Sequence, residues 1–167
     1  IAASLRDALG ALPVVAIEHV GSTSVPDLAA KPVIDVDVVV TRDIVRAAVA
    51  AIASAGYEPL GEMGVPDRFA FRSPVGAPRQ NIYVTVVGSL ALRNHLGLRD
   101  TLRACPDLRD EYGAVKLAQA LRTDIKTAVE AGSIAAGANL IAAGKALPAA
   151  TSTINGQTFN WSRIVTV

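Results

Sequence analysis

Cysteine, long apolar runs and a surplus of one charge are all scarce or missing in this chain. Cys105 is the single cysteine in 167 residues, which excludes an internal disulfide and a thiolate cage for zinc. A chain so poor in cysteine fits a reducing compartment, and the cytoplasm is the expected location. Sixteen Lys and Arg are interspersed with 15 Asp and Glu, a net charge of +1, so no basic stripe is available to follow a nucleic-acid backbone. No apolar run reaches the roughly 18 residues of a spanning helix, because Asp35 and Asp37 interrupt the most apolar strand and glycines punctuate the Ala-rich tail. Neither nucleic acid nor a membrane is therefore expected as a partner. No signal peptide is read in the first residues, and what precedes Ile1 is left open.

What is present is 51% hydrophobic residues, enough for a sizeable core. Domains of this length bury about two-thirds of the unfolded surface. Apolar spacing predicts a helix over residues 1–10, then a strand over Val14–Val20. A Gly-Ser turn follows, with a short helix over Pro26–Ala30 that Ser24 would cap. Val33–Val40 is the strongest strand, rich in β-branched residues. Thr41 opens a helix over Arg42–Ala55, and Tyr57–Val65 reads as loop or weak strand. Arg68–Arg72 alternates like a half-exposed strand, and Asn81–Val87 returns as another. Helices over Leu90–Ala104 and Asp107–Glu130 follow, separated by Pro106. This order predicts an α+β fold, a mixed β-sheet with flanking helices covered chiefly on one side. Beyond an Ala-rich segment broken by Gly132, Gly137 and Gly144, Thr151–Val167 is β-like, with Asn155-Gly156 as a two-residue hairpin signal.

The chemistry concentrates in His19–Val40. Backbone amides of a tight Gly-Ser turn can hold phosphate oxygens; Gly21 permits close approach, Ser22 adds a hydroxyl, and Lys31 can reach the same anion. Asp35 and Asp37, two positions apart on an extended strand, project to the same side with roughly 7 Å between their Cβ atoms. Two such carboxylates repel unless a cation sits between them, and Mg²⁺ prefers oxygen ligands completed by water and phosphate. Together the turn and the carboxylate pair predict a nucleotide phosphate held beside a divalent metal.

The stretch HVGSTSVPDLAAKPVIDVDV resembles the signature of the GrpB-like proteins, the UPF0157 family, whose usual form is HVGSTSVPGLAAKPIIDI. The resemblance continues in GEMGVPDRFAF, in Asn81-Ile82-Tyr83-Val84 against N-L-H-V, and in HLGLRDTLRACP against HLLFRDYLRAHP. It covers about residues 1–126, leaving 127–167 as part of the same domain or an atypical tail. It implies a nucleotidyltransferase-like fold of the polymerase β superfamily, in which a Gly-Ser turn holds nucleotide phosphates and carboxylates on the next strand bind metal. Carried over, Gly21 and Ser22 match the phosphate turn and Asp35 and Asp37 the catalytic metal pair, with Thr23 and Ser24 as further nucleotide-binding candidates in the same turn. Mg²⁺ and a nucleoside triphosphate are the implied cofactor and ligand. A related domain fused to dephospho-coenzyme A kinase makes a helper role near coenzyme A synthesis the alternative.

One more absence limits the enzymatic expectation. A full superfamily site has a third carboxylate on a later strand, and Asn81–Val87 contains none. Tyr83 stands where the family commonly has His, and an ordinary phenol near pKa 10 is a poor base at neutral pH. Asp27 replaces a usual Gly and places negative charge near the phosphate turn, which Lys31 or a metal would have to offset. Arg68 and Arg72 share a strand face and are the best remaining cations for a triphosphate. Arg99 is expected to pair with a carboxylate, Glu62 to offer a distant acid if its loop folds back, His19 to orient the turn, and His95 to be a cap or surface contact. Three function classes are left: Mg²⁺-dependent nucleotidyl transfer to a hydroxyl acceptor, a nucleotide- or coenzyme A-binding module without chemistry, and a purely structural role if Asp35 and Asp37 are salt-bridged to Arg68 or Arg72 with no open pocket. The C-terminal hairpin is expected to leave an edge open to pairing, within the domain or with a second copy.

Overall fold

The computed structural model describes residues 1–130, 151–154 and 157–160, with side chains described through Thr123. The chain divides into two compact units, Ile1–Ala104 and Cys105–Val167.

The first unit is a five-stranded mixed sheet with helices. Helix α1 (Ala2–Leu9) leads into β1 (Ala16–Val20), β2 (Ile34–Val40), α2 (Val45–Ser54), β3 (Glu58–Gly61), β4 (Arg68–Arg72), β5 (Gln80–Val86) and α3 (Leu90–Ala104). The strand order is β1-β2-β5-β4-β3. The β2–β5 pair is parallel, as the intervening crossover through α2 allows, and every other pair is antiparallel.

Alternation along the strands separates two chemistries. Val36, Val38, Val40, Ile82, Val84, Val86 and Phe71 point to one face, where Leu5 and Leu9 of α1 and Val45, Ala48 and Ile52 of α2 close over them. Apolar burial of this kind contributes roughly 25 cal/mol per Å² removed from water, so this face supplies most of the unit's stability. The opposite face carries Asp35, Asp37, Asn81, Tyr83, Thr85 and Arg68.

Local departures from the expected elements have visible causes. No helix forms over Pro26–Ala30; a 3-10 turn occupies Ser22–Ser24 instead, and Asp27 takes a left-handed φ of 62° that no helix admits. The helix after β2 likewise starts with a 3-10 turn at Arg42–Ile44 before α2 begins. Glu58–Gly61 is an edge strand, irregular in register between Pro59 and Gly61.

In the second unit, α4 runs from Pro106 to Glu130. Proline lacks an N–H to contribute, so it is tolerated in the first turn and opens this helix rather than merely preceding it. β6 (Thr151–Ile154) and β7 (Gln157–Asn160) pair antiparallel, with Ile154 opposite Gln157, the hairpin that the sequence signal predicts. Its Asn155-Gly156 connection and the segment containing Gly132, Gly137 and Gly144 lie outside the described residues. No described helix is long and apolar enough to cross a membrane.

Candidate functional site

Strand register assembles the polar face in rungs. Val20, Asp35 and Asn81 align across β1, β2 and β5; Glu18, Asp37, Tyr83 and Ala70 form the next rung, and Val39, Thr85 and Arg68 another. The expected common face of Asp35 and Asp37 is therefore present, and β5 brings Asn81, Tyr83 and Thr85 beside them rather than an acid.

The Gly-Ser turn lies directly against Asp35. Gly21 has φ 69° and ψ −174°, and a Cβ placed on it would stand 2.8 Å from Asp35 Cγ, so a side chain is excluded both by backbone conformation and by contact. Ser24 Oγ donates to Gly21 O at 2.6 Å, closing the turn on itself. Thr23 Oγ1 donates to Val33 O at 3.0 Å and therefore accepts from His19 Nε2, also at 3.0 Å. That assigns the His19 proton to Nε2. Burial and the nearby Arg103 and Arg99 charges push the His19 pKa down, in keeping with a neutral ring that orients the turn. Of the three hydroxyls in the turn, Ser22's alone makes no hydrogen bond to the described residues.

Helix α3 secures this arrangement through one stripe. His95, Arg99 and Arg103 recur every four residues and so share a helix face. Arg103 places Nε and Nη2 on Ser24 O at 3.0 and 2.6 Å. Arg99 donates to Glu18 at 2.7 Å, to His19 O at 3.1 Å and to Asp100 at 2.8 Å, the carboxylate pairing expected of it.

His95 departs most from expectation. It is neither a cap nor a surface contact: its Nδ1 meets Asp37 Oδ2 at 2.8 Å across a sequence separation of 58. Asp37 is fully buried, and its other oxygen accepts from Thr85 Oγ1 at 3.1 Å. The hydrogen bond to Asp37 raises the His95 pKa above its ordinary value, outweighing the burial that lowers it. The ring also lies 5.8 Å from that of Tyr83, centroid to centroid. Its sequence signal was the four-residue stripe it shares with Arg99 and Arg103.

Asp35 is in a different setting. It is half-buried, and Oδ1 accepts from Asn81 Nδ2 at 2.7 Å. Arg68 does not pair with either aspartate; its guanidinium lies over the Tyr83 ring, 4.9 Å from the centroid, and its buried Nε has no partner. Burial, followed by the Asp35 charge, raises the Tyr83 pKa, so the phenol stays protonated. Arg72 pairs with Glu58 at 2.5 Å, Lys31 is exposed, and Glu62 is engaged within its own loop, accepting the Asp67 N–H at 2.7 Å.

No group of three or more His, Cys, Asp or Glu is gathered for a metal among the described residues. Mg²⁺ is commonly held by one or two carboxylates, with water and substrate phosphates completing its shell. Asp35, on the accessible side beside the turn, fits that role. Asp37, sealed and bonded through both oxygens, does not fit as its co-ligand in this arrangement.

The molecule's first unit thus belongs to the α+β class, a mixed five-stranded sheet with one face packed by helices and the other carrying a polar cluster. The chain matches the family model described as GrpB protein over residues 1–131, and it belongs to the GrpB family. It is 36% identical over 104 residues to UPF0157 protein YqkA of Bacillus subtilis, covering 62% of this chain and 30% of that protein. A UPF0157 protein of Streptomyces coelicolor is 41% identical over 122 residues, 68% of this chain and 59% of the other. The chain therefore spans less than two-thirds of the length of either relative. A crystal structure of the conserved protein GrpB from Enterococcus faecalis superposes with a TM-score of 0.62 at 30% identity, covering 83% of this chain and 87% of that one.

Proposed function

We propose that the polar face around Asp35 binds a nucleoside triphosphate together with Mg²⁺, and that the domain acts as a nucleotide-binding module of nucleotidyltransferase type. The observation that carries this reading is the packing of Gly21 against Asp35, which sets the Gly-Ser turn beside a half-buried carboxylate. In this reading Asp35 holds the cation, the Gly21–Ser24 turn receives phosphate oxygens, and Ser22 supplies the hydroxyl not already engaged. Arg68 and Lys31 offset phosphate charge, while Arg72 is already committed to Glu58. Bound Mg²⁺ would neutralise the phosphates. Asp37 serves instead to position His95.

Binding is better supported than turnover. Transfer to a hydroxyl needs a group to take its proton. β5 presents only Asn81, Tyr83 and Thr85 to this face, Tyr83 is held protonated, and His95 is drawn towards its charged form. The same shortage favours, as a second reading, a helper module that binds nucleotide or coenzyme A without chemistry.

Calorimetric titration of each nucleoside triphosphate, with and without Mg²⁺, tests the proposal on the wild type and Asp35→Ala. Mg²⁺-dependent binding that Asp35→Ala abolishes is the expected result. Absence of metal-dependent binding to the wild type overturns it.

A further inference from the structure

Three side chains form a row across the polar face of the sheet. His95, on α3, stands over β2 through its bond to Asp37; Tyr83, opposite Asp37 in register, occupies β5; Arg68, on β4, lies over the Tyr83 ring. The His95 and Tyr83 ring centroids are 5.8 Å apart, and the Arg68 guanidinium carbon is 4.9 Å from the Tyr83 centroid. Each member keeps a donor uncommitted. The Tyr83 hydroxyl makes no hydrogen bond to the described residues, and the Arg68 guanidinium makes neither a hydrogen bond nor an ion pair among them. His95 spends Nδ1 on Asp37, while its Nε2 has no partner among the described residues and is open to solvent.

The support behind His95 decides which way the ring works. Asp37 is fully buried and accepts at both oxygens, from Thr85 and from His95, so Nδ1 carries a proton. A buried carboxylate is stabilised by a cationic partner, and the imidazole becomes one by holding a second proton on Nε2. Nε2–H is then a charge-assisted donor directed away from Asp37. Asp35 and Arg68 are the other charged groups that act on the ring, with opposite effects.

We propose that His95 Nε2–H, the Tyr83 hydroxyl and the Arg68 guanidinium bind a polyphosphate chain, with His95 in direct contact with a phosphate oxygen. The inference rests on the reading that nucleotide phosphates lie on this face, and it gives the ligand a set of donors that needs no metal. The outer members flank a whole phenol ring, so a chain of two or three phosphates meets all of the row where a single phosphate meets only part of it. An anion there also supplies the partner that the Arg68 guanidinium lacks.

Calorimetry with inorganic tripolyphosphate in the absence of Mg²⁺, at about pH 6, below the ordinary histidine pKa of about 6.5, tests the row apart from Asp35. The wild type should bind. His95→Gln and Arg68→Met should each weaken binding at least tenfold, and Tyr83→Phe, which keeps the ring and loses only the hydroxyl, several-fold. Nitrogen-15 NMR of the wild-type protein needs no variant: tripolyphosphate should shift the His95 Nε2 resonance more than Nδ1, which a merely structural histidine would not show. The proposal is overturned if tripolyphosphate binds while His95→Gln keeps the wild-type affinity or the Nε2 resonance stays in place. Absence of any binding without Mg²⁺ overturns it too. Mg²⁺-dependent ATP binding that Asp35→Ala abolishes then leaves the Asp35 reading standing, whereas failure of ATP to bind with Mg²⁺ as well sinks both.

Discussion

Asp37, fully buried on β2, accepts a 2.8 Å hydrogen bond from Nδ1 of His95 on α3, and through it the helix is keyed to the polar face of the sheet. Thr85 completes the carboxylate's partners from β5. A carboxylate in this position orients a histidine.

The His95 pair makes stability depend on pH with a definite sign. The folded pKa of His95 lies above its ordinary 6.5, so the stabilisation is fully present below about 6.5 and is lost as pH rises through the folded value. Denaturant midpoints measured from pH 5 to pH 9 should fall across that window in the wild type, and His95→Gln should flatten the change.

Asp37→Asn should return the His95 pKa towards its ordinary value, since the hydrogen bond to the charged carboxylate is the largest cause of the shift. Proton NMR titration of the His95 ring reads this directly. Asp37→Ala leaves Thr85 and His95 without their buried partner and should cost about 2–4 kcal/mol of unfolding free energy. An unchanged ring pKa in Asp37→Asn would contradict the role assigned to the pair.

Gly21→Ala should destabilise the unit by about 2 kcal/mol or more, because φ 69° with ψ −174° is a region open almost only to glycine and the added Cβ meets the Asp35 carboxylate. Chemical denaturation checks the stability. Calorimetry on the folded fraction should show Mg²⁺-nucleotide affinity falling with it.

Asp35→Asn separates structure from ligand binding. An asparagine oxygen can still accept from Asn81, so the melting temperature should change little. Loss of the negative charge should nevertheless remove the Mg²⁺ dependence of nucleotide binding.

Arg103→Met removes both donors from Ser24 O and should cost about 1 kcal/mol in stability. The looser turn should weaken triphosphate binding several-fold while leaving the His95 titration in place.

The face shared by Asp35 and Asp37 was legible in the sequence, because alternation along a β-branched strand follows from backbone geometry alone. So was the hairpin pairing of Thr151–Ile154 with Gln157–Asn160, whose register a two-residue connection determines. The helix expected over Pro26–Ala30 is absent, because Asp27 adopts a left-handed φ of 62° that helical spacing does not reveal. Arg68 was legible as a cation on the polar face but not as a group stacked on Tyr83, since the two lie on different strands.

By itself, then, the sequence determined most of the elements, their buried and polar faces, the Gly-Ser turn and the family, all of which depend on local spacing and short motifs. The tertiary structure decided the fate of each carboxylate. Asp35 came to lie against Gly21 and Asn81 on the accessible side, while Asp37 was sealed by Thr85 and His95, the latter 58 positions away. Two aspartates with the same strand and face acquire different chemistry because burial and hydrogen-bond partners are contributed by remote elements, and local spacing carries no information about which of those elements will arrive.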